Sequence, residues 1–285
     1  MMQEVLPLLV FQTDFTYMEG AVASMYGVVR SVSRDVEIIT ATHDLPQYDI
    51  WSASYRLQQY VEFWPKGTVF VSVVDPGVGT ERKACAACTE DGYYIITPDN
   101  GSLTHILRKH GIAEVREIDE TVNRLASTRG TSVFHGRDLF GYCAAKLASG
   151  KITFEEVGPA YPVQEIVTMP VAEPVFRGTD VSGIIEIDDP NFGNVWTNIP
   201  LKEFQNAGYA FGEDVHITIE VGGQTAFDEI VRFDRTFGNV AEGKPVLYNN
   251  EQMNLSLAVC RGSFKKTYGI GFGADHIIRI GKTNA

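Results

Sequence analysis

Basic residues are scarce in this chain: 24 Lys and Arg stand against 36 Asp and Glu, for a net charge of −12. A nucleic-acid surface needs clustered Lys and Arg to replace counterions, so the composition argues against that class. It argues equally against a polybasic membrane patch. Apolar runs are short, and none approaches the roughly 18–20 residues that cross a bilayer. The first apolar run carries Glu4 and has no basic region before it, so no secretory signal is expected. Cysteine is sparse: four in 285 residues do not make a disulfide framework. Cys85-x-x-Cys88 has no second pair at zinc spacing, and the segment A-C-A-A-C-T reads as a buried strand carrying two reduced thiols. A cytoplasmic protein with no nucleic-acid or membrane partner is the expectation.

What is present is ordinary globular composition, 44% hydrophobic and 21% charged. The length suits two domains. In the first half, strand and helix patterns alternate. Strands are expected over 6–11, 36–40, 69–74, 93–96 and 115–118, and helices over 20–32, 49–63, 102–109 and 139–147. That order implies an α/β layer with a mostly parallel sheet. Pro159, Pro162, Pro170 and Pro174 then interrupt the pattern, as linkers do. Short strands follow, over 183–187, 195–199, 215–221, 229–233, 246–248 and 255–259, punctuated by Gly and Asn. They read as an all-β antiparallel barrel. The expected division is an α/β domain over 1–165, a linker over 166–178 and a barrel over 179–285.

Four polar, Gly-containing clusters sit just after expected strands: Gln12-Thr13-Asp14-Phe15, Asp75 to Arg82, Pro98-Asp99-Asn100-Gly101, and Phe134-His135-Gly136-Arg137-Asp138. Strand C-terminal ends face the ligand crevice in open α/β sheets, so the four are expected to line one pocket. Plainer readings stand beside this one. Pro98 to Gly101 is a good turn sequence, and so is Asp75-Pro76-Gly77. A lone His135 is more often structural than catalytic. Asp14, Asp75, Asp99 and Asp138 have the oxygen chemistry for a divalent metal, but Arg82 and Arg137 are expected in the same region and would repel it. No metal is expected.

Gly269, Gly271 and Gly273 imitate a dinucleotide fingerprint without the βαβ unit it needs, and Gly281-Lys282-Thr283 has no helix to cradle a phosphate. In the second half, Phe192 and Trp196 beside Asn194 suggest a flat aromatic ligand. Asn can read the donor and acceptor edge of adenine while rings cover its faces, and Phe237 can supply a second face. Taken singly, each ring reads first as barrel core.

The motifs V-V-D-P-G-V-G-T-x-R, P-D-N-G, F-H-G-R-D and F-G-N-V-W-T-N occur in this order. The chain thereby resembles, over roughly residues 8–280, the S-adenosylmethionine hydroxide adenosyltransferases, relatives of fluorinase and chlorinase. The resemblance implies an N-terminal α/β domain with a C-terminal barrel. It implies a homotrimer with each active site between subunits. The implied reaction is S-adenosylmethionine plus water giving adenosine and L-methionine, without metal or other cofactor. Asp75, Arg82 and His135 match the set that marks the hydroxide-using branch, with proton acceptor and relay unassigned. Asp14 matches the carboxylate on the ribose hydroxyls. Tyr48 matches an aromatic beside the ligand, and Phe192, Asn194 and Phe237 match the adenine site; Trp196 lies in the same motif. Asp188 matches the partner of the methionine amine, with Asp189 a competitor. Gly136 stands where fluorinase has a halide-binding Ser. Two departures are Thr16 in place of the Gly of T-D-F-G, and Asn250-Glu251 in place of an Asn-Ser pair near the methionine carboxylate. Alternatives are a non-catalytic adenosine or S-adenosylmethionine sensor and a halide-dependent transferase.

Overall fold

The computed structural model describes residues 7–283. Glu4 and Leu6, on which the signal and first-strand expectations partly rest, lie outside them. The chain divides into two compact units between Met169 and Pro170.

The first unit is built on a seven-stranded sheet of β1 (Leu8–Thr13), β2 (Glu37–Thr42), β3 (Val69–Val73), β4 (Ala84–Thr89), β5 (Tyr94–Pro98), β6 (Ile112–Glu117) and β7 (Ala160–Tyr161). Its order is β2-β1-β3-β5-β4-β6-β7. The β2, β1, β3 and β5 strands are mutually parallel, and β4, β6 and β7 add antiparallel pairings. Parallel strands covered on both faces read as continuous apolar runs, and Val69–Val73 is buried at every position. Helix α1 (Ala21–Val32) buries Val22, Met25, Val29 and Val32, the stripe its three- and four-residue spacing creates. Helices α2 (Ile50–Tyr60), α3 (Thr104–His110), the short α4 (Glu120–Asn123) and α5 (Tyr142–Ala148) complete the unit. Cys85 and Cys88 face opposite sides of β4, because an odd spacing on a strand changes face.

The helix expected from residue 139 begins earlier, as a π-turn over Gly136–Gly141 that runs into α5. This buried turn places His135 at its N-terminal edge. Such π-turns recur at functional sites.

The second unit holds β8 (Val175–Arg177), β9 (Asp180–Asp188), β10 (Val195–Pro200), α6 (Leu201–Asn206), β11 (Glu213–Val221), β12 (Gln224–Phe233), β13 (Pro245–Asn249), β14 (Asn254–Val259), α7 (Phe264–Tyr268) and β15 (His276–Lys282). Pairing runs β10-β14-β13-β12-β11-β15-β9 and closes through β9–β10 into a seven-stranded barrel, with β8 hung on β9. Closure leaves no ring edge unpaired. All pairings are antiparallel except the short β12–β13 contact. Ile217, Ile219, Phe227, Phe233, Leu247 and Leu257 fill the interior. The sequence reading missed β15, where Gly281 and Lys282 pair with His216 and Val215. It also took 175–177 for linker, although β8 finds a ladder partner there.

Candidate active site

Three strand or helix ends of the first unit converge on a pocket of about 300 Å³ lined by Asp14, Phe15, Tyr48, Asp75, His135 and Gly136, among others. The loop after β3 makes a tight return: Val78 N donates to Asp75 O, and Thr80 N to Gly77 O. Gly79 takes a left-handed φ of +77°, and a Cβ there would lie 3.0 Å from Ser132 O, so the turn needs glycine. The return lays Arg82 back over Asp75. Arg82 Nε donates to both carboxylate oxygens at 3.0 and 3.1 Å, and Nη2 donates to Oδ2 at 2.5 Å. The two side chains are 10% and 5% exposed. This is the planar fork-on-carboxylate arrangement that a guanidinium suits and an ammonium does not. Arg82 also lies 5.2 Å from the Phe140 ring centroid, so one face is walled by an aromatic.

The same Nη2 donates to Nδ1 of His135 at 2.9 Å. His135 is 4% exposed, and its Nε2 is buried with no hydrogen-bond partner among the described residues. Burial, then the adjacent Arg82 charge, hold its pKa below the usual 6.5. The imidazole is therefore neutral at neutral pH. Asp14 sits across the pocket and accepts from Tyr48 N at 2.9 Å. Burial raises its pKa above the usual 3.8, against the pull of that hydrogen bond.

The Pro98 to Gly101 cluster does not join this pocket, contrary to expectation. Asp99 is 4% exposed and accepts from Tyr161 Oη and Val167 N, both at 2.9 Å. Asn100 Nδ2 donates to Val74 O at 3.0 Å, one residue before Asp75. Pro98 to Gly101 is thus a turn that braces the loop behind the pocket. Arg137 does not accompany Arg82 either. It pairs with its neighbour Asp138, which is fully buried, and stacks over Phe134. Asp99 and Asp138 thus stand apart from Asp14 and Asp75, which share the pocket, and among the described residues no three His, Cys, Asp or Glu gather as a metal set.

Gly136 lies under aromatic rings. A Cβ there would come within 2.9 Å of Phe15 and 3.4 Å of Phe134. Thr16, in place of the family's Gly, adopts a left-handed φ of +57°. The first loop therefore keeps a conformation that glycine favours, held by Thr16 N to His43 O at 2.8 Å and by Met18 N to Thr16 Oγ1 at 3.2 Å.

In the barrel, Phe192, Asn194, Phe237, Cys260, Arg261 and Ser263 line a separate open pocket of about 650 Å³. Phe192 is 70% exposed, and Phe237 packs against Tyr248. Gly193 is required where the loop crosses α7: its φ is +72°, and a Cβ would collide with Ser263. Trp196 is not part of this pocket, a correction to its reading as a ligand face. It lies buried in β10, opposite Ser256 and Ile187. Asp188 ends β9 and pairs with Lys265 of α7. Asp189 instead uses its carboxylate to accept Asn191 N and Phe192 N, which shapes the loop. Asn250 is also committed locally: it donates to Ser256 Oγ and accepts Gln252 N and Asn254 N. Glu251 follows on the exposed turn, outside the barrel pocket.

Sequence reasoning missed Glu19, Gln47 and Val133 in the first pocket, and Lys265 beside Asp188. It also missed His43, although Thr42-His43-Asp44 follows a strand end as the recognised clusters do.

The chain is similar to known proteins along most of its length. Residues 9–158 match the family model described as SAM hydroxide adenosyltransferase N-terminal domain, and residues 183–277 the corresponding C-terminal domain. The chain is 32% identical to an (R)-S-adenosyl-L-methionine hydrolase of Thermus thermophilus, over 92% of this chain and 96% of that one. It is 27% identical to a fluorinase of Actinopolyspora mzabensis, over 94% and 95%. A crystal structure of an uncharacterized conserved protein from Thermotoga maritima superposes with a TM-score of 0.86 at 31% identity, covering 96% of this chain and all of that one. With both domain models matched in order over most of its length, the chain belongs to the SAM hydroxide adenosyltransferase family.

Proposed function

We propose that this protein hydrolyses S-adenosyl-L-methionine to adenosine and L-methionine by attack of water on the ribose C5′. The observation that carries the reading is that Asp75 and His135 line one pocket with Asp14 and are joined to each other through hydrogen bonds from Arg82. The hydrolases among its relatives support it.

The chemistry suits that set. A water oxygen forms a bond to C5′ as the C5′–S bond breaks. Sulfur takes the electron pair and becomes the neutral thioether of methionine, and the attacking oxygen loses a proton. A cationic sulfonium and a hydroxide-like oxygen both lose charge on the way, so a dry pocket favours the step. Alignment of oxygen, carbon and sulfur can contribute about 7–11 kcal/mol in favourable cases. In this reading Asp75 accepts the proton, Arg82 holds the carboxylate, and His135 orients the water. Asp14 holds the ribose hydroxyls and Tyr48 flanks them. Phe192, Asn194 and Phe237 take adenine, and Asp188 receives the methionine ammonium in exchange with Lys265.

The family resemblance also supports a homotrimer in which the Asp75 pocket of one protomer meets the barrel of its neighbour. Sedimentation equilibrium at the trimer mass would agree with it, and a monomer would not. Four free cysteines favour a cytoplasmic location. The reaction as written needs no cofactor. Incubation of the purified protein with S-adenosylmethionine followed by chromatography tests the activity. Adenosine and methionine in equal amounts are expected, and unchanged substrate would overturn the proposal.

A further inference from the structure

One buried histidine takes no part in the reaction as proposed. His43 is 1% exposed, directly after β2. Its Nδ1 lies 2.8 Å from Thr13 Oγ1 and its Nε2 2.8 Å from Tyr26 Oη. Its backbone carbonyl accepts Thr16 N at 2.8 Å. Thr13 Oγ1 in turn accepts Phe15 N at 3.1 Å, and Thr13 O accepts Leu45 N at 3.3 Å. Both flanks of the loop that carries Asp14 are therefore tied to one residue. The 43–48 segment returns the favour through Tyr48 N, which donates to the Asp14 carboxylate.

One polarity satisfies every member. Phe15 N–H donates to Thr13 Oγ1, whose hydrogen points to Nδ1; Nε2–H then donates to Tyr26 Oη, whose hydrogen points to Thr40 Oγ1. Burial pushes the His43 pKa down to about 4, so the neutral ring this polarity requires persists at neutral pH. Tyr17 and Tyr26 pack on the ring, with centroids 5.1 and 5.9 Å away. A fully satisfied buried network of this kind rigidifies what it touches.

We infer that His43 is the positioning residue for Asp14: through Thr13 it fixes where the Asp14 carboxylate stands, and so the grip on the substrate's ribose. The inference rests on the proposed hydrolase reading for the identity of the ligand. A ribose contact kept equally in ground and transition states changes KM and leaves kcat in place. Small displacements of a positioning group carry large penalties.

The test is steady-state hydrolysis of S-adenosylmethionine by Thr13→Val and His43→Ala, each alone and combined with Asp14→Asn. Thr13→Val keeps the volume and removes only the hydroxyl, so it is the deciding variant. It should raise KM by about tenfold with kcat within about twofold, and His43→Ala should do the same or more. In the Asp14→Asn background the effect of Thr13→Val should shrink below about twofold, because two residues acting through one group are not additive. An unchanged KM, a loss confined to kcat, or the same tenfold penalty in both backgrounds would overturn the inference. Loss of the folded circular-dichroism spectrum in Thr13→Val would make the hydroxyl merely structural and would also overturn it. A wild-type protein inert toward S-adenosylmethionine would instead remove the hydrolase reading, a result distinct from active wild type with indifferent variants.

Discussion

Arg82 donates to Nδ1 of His135 at 2.9 Å, and this single contact sets the histidine's tautomer. A guanidinium only donates, so Nδ1 is the acceptor and the neutral imidazole carries its hydrogen on Nε2. In the proposed reaction His135 therefore offers a hydrogen bond to the water oxygen and does not take the proton. Asp75 remains as the acceptor.

Asp75→Asn should lower kcat by at least about 10²-fold, the range for losing a positioned proton acceptor, with KM within a few-fold. Steady-state kinetics with adenosine quantified by chromatography checks it. Turnover equal to wild type would remove Asp75 from the mechanism.

Stability should fall as acid is added below pH 6.5. Burial pushes His43 down to about 4 and His105 to about 3. Above 6.5 these rings are neutral in both folded and unfolded chains, and they add no slope. Between 6.5 and about 4 the unfolded chain binds protons that the folded chain refuses, so unfolding is favoured. Urea midpoints across this window should decline, and His105→Gln should decline less steeply. Parallel curves for variant and wild type would contradict the assignment.

Gly136→Ser should impair hydrolysis without creating a halide reaction. The new side chain would start 2.9 Å from Phe15 and 3.4 Å from Phe134, so the rings must move. Adding Phe15→Ala should recover part of the loss, with a coupling of about 0.5–3 kcal/mol for groups in contact. Incubation with chloride and a search for 5′-chloro-5′-deoxyadenosine completes the measurement. Robust chlorinated product from Gly136→Ser alone would show that the steric reading is wrong.

Thr16→Gly should raise the thermal midpoint. A β-branched residue at φ +57° costs roughly 1–2 kcal/mol, against about 0.5–1 kcal/mol of added unfolded-state freedom for glycine. Calorimetry reads the shift, and a lowered midpoint would mean that the Met18 N to Thr16 Oγ1 bond outweighs the strain.

Much of this was legible in the chain. Apolar runs such as Val69–Val73 and the stripe of α1 announce their elements, and the clusters after β1 and β3 fall where a parallel sheet opens its crevice. Asp75 and Arg82 are close in sequence, so a tight turn sufficed to join them. Local pattern failed where the partner is remote. Asp99 looked like a pocket residue because nothing nearby announces that Tyr161 and Val167 will claim it. Trp196 looked like a ligand face because its motif adjoins Phe192 and Asn194, and nothing local announces that β10 is buried on both faces. The role of His43 depends on Thr13 and Tyr26, thirty and seventeen positions away.

Hydrolysis of S-adenosylmethionine in oxygen-18 water, with mass spectrometry of the adenosine, tests the central claim most directly. The account predicts the heavy isotope in the 5′-hydroxyl of adenosine and none in methionine. Adenosine formed with an unlabelled 5′-hydroxyl would contradict direct attack of water at C5′.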